Sequence, residues 1–342
     1  MTPRGKGRHM LRVSLQELSQ EFRRALDKAG FAPEKSALCA RIFTENTRDG
    51  VLSHGVNRFS EFIDFVRRGV VKVDAEPVLV EACGAFERWD GRQGPGMLNA
   101  HACMARAIAM AQAHTVGCVA LRNTNHWMRA GTYGRQAADA GCIGLCWTNT
   151  RVLMPPWGSS EPKLGNNPLM ICVPAKGGQV LLDMSMSQFS MGKLAIAAKA
   201  GEKLSVPGGF DEGGNLTDDA AAILRAQRPL PIGYWKGSGL ALLLDCVVSV
   251  LSAGQAVFQI GNHPDETRVS QLFVAISLEK AGCAETGAEL MEQILDDLHA
   301  ATPLNSAQPV SFPGERTSRR RRANSADGVL VDEDIWQAIK RL

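Results

Sequence analysis

The amino-acid sequence predicts an α/β protein that begins with a helical unit. Residues 11–76 carry apolar side chains at helical spacing, whereas residues 77–304 alternate short strand-like runs with helical ones. The usual dinucleotide-binding fingerprint is missing, because the glycine pairs at 94 and 96 and at 237 and 239 lack a third glycine at the required place. The expected core is therefore α/β but not of the Rossmann type.

The helical N-terminal unit follows a basic extension, residues 1–10. Its first helix starts at Ser14, where Glu17 completes a capping-box pattern. A second helix starts near Pro33, and a third follows the turn at Gly50. Three helices are therefore expected before the first strand.

The α/β core contains strands and helices in alternation. The expected strands are 78–80, 86–89, 119–122, 142–147, 169–173, 180–183 and 272–276. The expected helices are 98–114, 133–140, 240–251 and 288–299. Residues 305–342 form a polar tail with a last helix near Asp332, and we expect this tail to dock back on the core. Its four consecutive arginines, residues 319–322, predict a solvated loop, with a nucleic-acid-binding or localisation patch as the alternative.

The composition excludes several classes of protein. A formal net charge of +3 is too small to indicate a nucleic-acid partner. No apolar run reaches the roughly 18 residues that span a bilayer, and the N-terminus lacks the apolar core of a signal peptide. Four of the nine cysteines lie in apolar runs and predict reduced core thiols, not disulfides or a metal site: Cys118, Cys146, Cys172 and Cys246. We therefore expect a cytoplasmic protein without a nucleic-acid, membrane or metal partner.

The first candidate site lies between Ser53 and Arg58, ahead of the third helix. If helical geometry begins by His54, then His54 and Arg58 share one helix face. Such a pair suits a keto acid, because a guanidinium binds a carboxylate through two hydrogen bonds and an imidazole can protonate a developing alkoxide. The alternative is a helix cap with an exposed arginine.

The second candidate site is the loop containing Asn125 and His126, which directly follows a buried strand. Ligands of α/β proteins gather beyond the carboxyl ends of strands. A neighbouring strand ends in Thr148 and Asn149, whose side chains could bind substrate hydroxyls. A purely structural loop histidine is the alternative.

The third candidate site is the glycine-rich start of an apolar helix, where Lys236 and open backbone amides suit a phosphate or carboxylate. Asp183, at the end of a strand, is placed to bind a ribose hydroxyl. Glycine-rich helix starts and acidic strand ends are also common without any ligand, so both assignments are hypotheses.

Four short motifs occur in a fixed order along the chain: Ser53-His54-Gly55, Asn123-Thr124-Asn125-His126, Asn167-Pro168 and Pro313-Gly314-Glu315. With these motifs the sequence resembles the malate/L-lactate dehydrogenase-like oxidoreductases that lack a Rossmann fold. Longer matches, including Trp147-Thr148-Asn149, point to a branch of that family that reduces a sugar acid. The resemblance runs from residue 11 to the end, without the arginine run.

The resemblance implies a non-Rossmann, mixed-sheet dehydrogenase fold, a homodimer and a nicotinamide cofactor. We expect NAD as this cofactor, with NADH preferred over NADPH. His54 matches the proton donor of the reductase branch, and His126 matches the acid/base residue of ureidoglycolate-type relatives. The cofactor contacts that the resemblance implies are Gln179, Val180, Leu181, Leu182, Asp183, Met184, Ser185, Trp235, Lys236, Gly314, Glu315 and Arg316. The segment Gly314 to Arg316 departs from the branch, which has Gly-His-Glu where this chain has Gly314 followed directly by Glu315.

These features together predict reduction of the 2-keto group of a small hydroxylated acid. The expected substrate contacts are Arg58, Asn125, Thr148 and Asn149. A simpler 2-hydroxy acid, as in malate, lactate or sulfolactate dehydrogenases, is the alternative within the family. A non-enzymatic sugar-acid-binding protein is the alternative of another class.

Overall fold

The computed structural model describes residues 9–342, so most of the basic extension lies outside the described residues. The strands are β1 (Met10–Val13), β2 (Val78–Cys83), β3 (Phe86–Asp90), β4 (Val116–Asn125), β5 (Cys142–Thr148), β6 (Val152–Met154), β7 (Leu164–Gly165), β8 (Leu169–Ala175), β9 (Gly178–Met184), β10 (Gly209–Phe210), β11 (Leu216–Thr217), β12 (Thr267–Ser277) and β13 (Val329–Asp332). The helices are α1 (Leu15–Lys28), α2 (Pro33–Arg48), α3 (Val56–Arg67), α4 (Gly96–His114), α5 (Gly131–Asp139), α6 (Met191–Ala200), α7 (Ala220–Ala226), α8 (Trp235–Ser252), α9 (Val257–Ile260), α10 (Ala284–Ala300), α11 (Glu315–Asp327) and α12 (Glu333–Lys340). A short 3-10 turn, Leu52–His54, precedes α3.

One compact unit joins the residues up to Ala75 with Leu298–Leu342. As the capping pattern predicts, the Ser14 side chain accepts a hydrogen bond from the backbone N–H of Glu17 at the start of α1. Phenylalanine rings of α1, α2 and α3 form the core, and β1 pairs antiparallel with β13. The C-terminal residues thus have N-terminal partners, whereas the sequence division attached residues 305–342 to the α/β core.

The arginine run is not a loop, and that expectation is wrong. Residues 319–322 lie within α11, which has no glycine or proline between its ends. Arginine favours helices, and Arg319 pairs with Glu315 one turn earlier. The helix has no apolar stripe, which is why the hydrophobic pattern did not predict it.

The second compact unit, Glu76–Asp297, is built on a seven-stranded sheet in the order β2-β3-β4-β12-β5-β8-β9. Only β3 and β4 are neighbours in parallel; the other pairs are antiparallel. Helices α4 and α5 pack on one face, and α8 packs on the other. The mixed, non-Rossmann α/β fold expected from the sequence is confirmed.

An ion pair between the buried Glu87 and the half-exposed Arg106 joins β3 to α4 on the first face of the sheet. The Glu87 carboxylate accepts hydrogen bonds from the Arg106 guanidinium and from Trp89 Nε1, the latter at 2.8 Å. The Arg106 hydrogen bond outweighs burial and holds the pKa of Glu87 below its usual range. The carboxylate is therefore ionised at neutral pH and contributes to the packing of α4.

Helix α8 departs from two expectations. By length and composition alone it is apolar enough to cross a membrane, a test that core helices of globular proteins also pass. Cys246, expected in the core, is exposed on this helix, while Cys146 and Cys172 are buried as expected and Cys118 is partly buried. The difference arises because α8 is apolar all round, and only one side of it packs on the sheet.

Candidate active site

Polar residues of the second and third candidate sites lie at one end of the seven-stranded sheet. The pairings with β12 and β8 make β4, β5 and β9 run in the same direction. Their carboxyl ends, Asn125, Thr148 and Met184, therefore lie at the same end of the sheet. This is where α/β proteins collect their ligands, and it is the candidate active site within this unit.

The loop that carries His126 is held in a strained conformation. Asn123 and Met128, on either side of it, have φ values of 55° and 65°, and Arg92 and Gln93 in the facing loop have 50° and 58°. The Gln93 N–H donates to the Asn123 carbonyl at 2.8 Å, which joins the two loops. Left-handed backbone at non-glycine residues costs free energy and clusters at functional sites, so it supports a functional role for this loop.

Asn125 is the residue that locks these loops together. Its Nδ2 donates to the carbonyls of Gln93 and Gly94 at 2.8 and 3.0 Å, and its Oδ1 accepts from Thr267 Oγ1 at 2.8 Å. The side chain is buried. In this arrangement the amide positions the His126 loop, whereas the sequence predicts a direct substrate contact.

The hydrogen bonding of His126 fixes its tautomer. The Met128 N–H donates to Nδ1 of His126 at 3.0 Å, so in the neutral ring the proton is on Nε2. A second proton on Nδ1 would have to displace the Met128 amide. His126 can therefore donate a hydrogen bond from Nε2 as a neutral imidazole.

Asp183 joins the end of β9 to the same loop. Its Oδ2 accepts from the Gly131 N–H at 2.8 Å, at the start of α5, and lies 3.6 Å from Arg129 Nε. Arg129 is buried, while Asp183 retains exposed surface. The Asp183 carboxylate, which is expected to bind a ribose hydroxyl, is thus accessible to solvent and is oriented by the N-terminus of α5 and the Arg129 guanidinium.

Thr148 and Asn149 are occupied by protein partners. Asn149 Nδ2 donates to Asp245 Oδ1 and to the Gln255 carbonyl at 2.9 and 2.7 Å, and its Oδ1 accepts from the Ser270 N–H at 2.8 Å. Thr148 Oγ1 donates to the Ser270 carbonyl. Both side chains are buried, so in this arrangement they fasten β5 to its neighbours instead of facing a substrate.

One candidate residue at this end of the sheet was missed from the sequence. Gln271 of β12 is fully buried and donates from Nε2 to the Asn125 carbonyl, and its Oε1 has no hydrogen-bond partner among the described residues. A buried acceptor without a partner is costly and often marks a functional site. The signal available in the sequence was its position directly before the apolar run 272–276.

The residues implied for cofactor contact in this unit lie close together. Gln179 to Met184 lie in β9, an edge strand whose outer backbone groups are not used by the sheet. After Ser185 the chain pairs with the segment just ahead of α8, through the bridge between Ser187 and Pro231. This pairing brings β9 and the start of α8 together.

The start of α8 offers groups that suit a dinucleotide. Trp235 is 65% exposed, and Lys236 beside it is exposed. Tyr234, which precedes them, has a φ of 59° and a ψ of −116°, a strained conformation that turns the chain into the helix. An exposed indole, an ammonium group and a free strand edge fit the base, phosphate and ribose groups of a nicotinamide cofactor.

The geometry around His54 and Arg58 corrects one expectation. His54 ends the 3-10 turn, and Gly55 interrupts the helix with φ −117° and ψ −125°, so α3 starts only at Val56. The two side chains therefore do not share a helix face by the four-residue spacing. A Cβ at position 55 would collide with Thr47 Oγ1, which explains why glycine stands there.

Both residues of this first candidate cluster have neighbours within their own unit. His54 Nδ1 lies 3.2 Å from Ser53 Oγ, and Arg58 Nη1 lies 2.8 Å from Glu61 Oε2, one turn further along α3. The Arg58 side chain retains 29% of its surface exposed. A carboxylate is thus already the partner of this guanidinium, and a substrate carboxylate would replace it.

The last implied contact, Gly314 to Arg316, forms the start of α11. Gly314 has a φ of 96°, and Arg316 is exposed. Glu315 Oε2 accepts hydrogen bonds from His299 Nε2 and from the Phe312 N–H. The His299 bond holds the pKa of Glu315 below its usual range, so this residue is ionised at neutral pH.

Comparison with known proteins identifies the family. The sequence profile of the malate/L-lactate dehydrogenase family matches residues 13–340. The 2,3-diketo-L-gulonate reductase of Citrobacter koseri is 42% identical over 333 residues, which cover 97% of this chain and 100% of that protein. The protein of the same name from Klebsiella pneumoniae is 41% identical over the same lengths.

Solved structures agree with this result. The sulfolactate dehydrogenase of Methanocaldococcus jannaschii superposes with a TM-score of 0.90 at 27% identity, covering 97% of this chain and 96% of that one. The malate dehydrogenase of Pyrococcus horikoshii superposes with a TM-score of 0.87 at 26% identity, covering 100% and 98%. The chain therefore belongs to the malate/L-lactate dehydrogenase family and is an oxidoreductase of the CH–OH group, a class that implies a nicotinamide cofactor.

Proposed function

We propose that this enzyme reduces the C2 carbonyl of 2,3-diketo-L-gulonate to give 3-dehydro-L-gulonate. The observation that carries the proposal is the 40–42% identity, over the whole chain, to proteins named for that reaction. Malate and sulfolactate dehydrogenases of known structure are only 22–27% identical. Initial rates with 2,3-diketo-L-gulonate, pyruvate, oxaloacetate and sulfopyruvate test it, with the diketo acid expected to give by far the highest kcat/KM.

The protein supplies orientation and a proton in this reaction, while the nicotinamide cofactor, when bound, supplies the hydride. We assign proton donation to His54. The Met128 N–H on Nδ1 of His126 opposes a second proton on that ring, whereas His54 Nδ1 faces a hydroxyl, which can accept as well as donate. His126 would then donate a hydrogen bond from Nε2 and polarise a carbonyl of the substrate.

Arg58 is the proposed partner of the substrate carboxylate. Its contact with Glu61 is a partly exposed helix-surface pair, which contributes little free energy, so a substrate can displace it at small cost. A planar guanidinium binds a carboxylate through two parallel hydrogen bonds, which orients the adjacent carbonyl. Arg58 would therefore bind the substrate by exchanging the Glu61 carboxylate for the substrate carboxylate.

NADH is the proposed form of the cofactor. Asp183 is the acidic residue at the exposed end of β9, and a carboxylate there accepts hydrogen bonds from ribose hydroxyls. The same charge repels the extra phosphate of NADPH. Titration of the nicotinamide fluorescence with each cofactor tests this: NADH should bind at least ten times more tightly.

We further propose that the enzyme is a homodimer in which a second copy covers α8. Four aliphatic side chains of this helix are 40% to 74% exposed: Leu242, Leu243, Val247 and Val250. Exposed apolar surface of this extent is typical of a subunit contact, and each Å² buried contributes about 25 cal/mol. Light scattering at micromolar concentration should therefore give twice the chain mass.

A simpler 2-hydroxy acid remains the second candidate, supported by the fold shared with the malate and sulfolactate enzymes. The substrate comparison above separates the two. A higher kcat/KM with pyruvate or oxaloacetate than with 2,3-diketo-L-gulonate would move the assignment to that class.

A further inference from the structure

The arginine run, which the function above does not use, places one guanidinium on a nearly buried carboxylate. Arg321 of α11 donates from Nε and Nη2 to Oδ1 and Oδ2 of Asp49, at 2.9 and 2.8 Å. The Asp49 side chain is only 2% exposed, and Arg48 Nε lies 3.1 Å from it. A two-point contact of this kind fixes the relative orientation of the guanidinium and the carboxylate in addition to pairing their charges.

Helix α11 holds the same end of α2 through two further residues. Asn324 Nδ2 donates to the Arg48 carbonyl at 2.6 Å. Arg320 packs over Gly50, where a Cβ would lie 2.9 Å from its Cδ. Residues 48–50 are therefore seated against one face of α11.

The last turn of α2 in turn holds the segment that carries His54. Asn46 Nδ2 donates to the His54 carbonyl at 3.0 Å, and the Val56 N–H donates to Thr47 Oγ1 at 2.9 Å. Asn46 and Thr47 are both buried. Any movement of the last turn of α2 would therefore move the backbone of His54 and Val56, on either side of Gly55.

We propose that Arg321 is a positioning residue for His54, acting through Asp49 and the last turn of α2. The inference rests on the proposed function, in which His54 donates the proton. Without the two-point contact, only the Asn324 hydrogen bond and the packing of Arg320 hold the end of α2 on α11, and the His54 turn can shift. A displacement of about 1 Å can lower the rate on the order of 10²-fold, so kcat should fall by roughly 10- to 100-fold in Arg321→Gln.

The test compares Arg321→Gln with Arg322→Gln, a change at the next residue, which is exposed on the same helix. Purified full-length variants are assayed with NADH and 2,3-diketo-L-gulonate below their melting temperatures. Arg321→Gln should have a lower kcat and a shifted pH profile of kcat/KM. Its affinity for NADH should stay within about twofold of wild type. Arg322→Gln should match wild type, and Arg321→Lys, which keeps the charge but not the fork, should recover part of kcat.

A double-mutant cycle separates this inference from the proposed function. In a His54→Asn background, Arg321→Gln should have no further effect on kcat, because its effect passes through the missing imidazole. Suppose that His54→Asn is nearly inactive. If Arg321→Gln then keeps wild-type kcat, or lowers kcat by the same factor in the wild-type and His54→Asn backgrounds, the positioning role is overturned and the proposed function stands. If His54→Asn keeps full activity, the proposed proton donor is wrong. If Arg321→Gln does not fold, the same double-mutant cycle is measured with Arg321→Lys.

Discussion

Gly96, the first residue of α4, provides a sharp test of how the His126 loop is held. A Cβ at this position would overlap the backbone carbonyl oxygens of Asn125 and His126. These are backbone atoms that cannot rotate away, so in Gly96→Ala either α4 or the loop must move. Overpacking of this kind costs about 1–3 kcal/mol, and we expect the upper end of the range.

The expected loss of stability converts to a shift in melting temperature. At about 2–4 °C for each kcal/mol, Gly96→Ala should melt roughly 6–12 °C below wild type in a calorimetric scan. Because the displaced atoms carry His126, kcat should also fall, on the order of 10²-fold for a shift near 1 Å. Both effects have the same structural cause.

Gly287, within α10, is the matched control. A Cβ there would meet nothing within 4 Å, so Gly287→Ala should only gain helix propensity, about 0.5–1 kcal/mol. Its melting temperature should rise slightly and its kinetics should not change. A Gly96→Ala enzyme with wild-type stability and kcat would refute the packing that the structure gives to this loop.

Three further results are expected. Glu87→Gln should lower stability at pH 7 by about 1–3 kcal/mol. Because the pKa of Glu87 is lowered in the folded state, the greater stability of wild type is present above the ordinary carboxyl pKa and is lost as the pH falls through the lowered value. Urea melts of the two proteins should therefore converge at acidic pH. A stability difference that does not change with pH would contradict this. His54→Asn should lower kcat about 10² to 10⁴-fold and remove one limb of the pH profile, whereas His126→Asn should lower kcat less and keep that limb; the opposite pattern would exchange their roles. Val250→Glu should give a monomer in light scattering, and an unchanged dimer would place the subunit contact elsewhere.

Much of the fold follows from local patterns in the sequence. The α1 cap at Ser14 and the alternating burial of β5 depend on neighbouring residues, so they could be predicted. Helix α11 could not, because its polar sequence carries no apolar period and its anchor, the contact of Arg321 with Asp49, joins residues far apart in the chain. Pattern reasoning detects local order and misses helices held by distant ion pairs.

The candidate site shows the same division. The sequence places polar residues at the ends of strands, and the common direction of β4, β5 and β9 brings those ends together. It could not distinguish a ligand contact from an internal bond. Asn149 is saturated by Asp245 and Ser270, which lie on elements about 100 residues further along the chain.

Transfer of a labelled hydride tests the central claim most directly. The enzyme is incubated with 2,3-diketo-L-gulonate and NADH that carries deuterium at the reactive C4 position, and the product is analysed by mass spectrometry and NMR. The account predicts 3-dehydro-L-gulonate with one deuterium on C2. A product without deuterium at C2, or efficient labelling of lactate from pyruvate but not of the sugar acid, would contradict it.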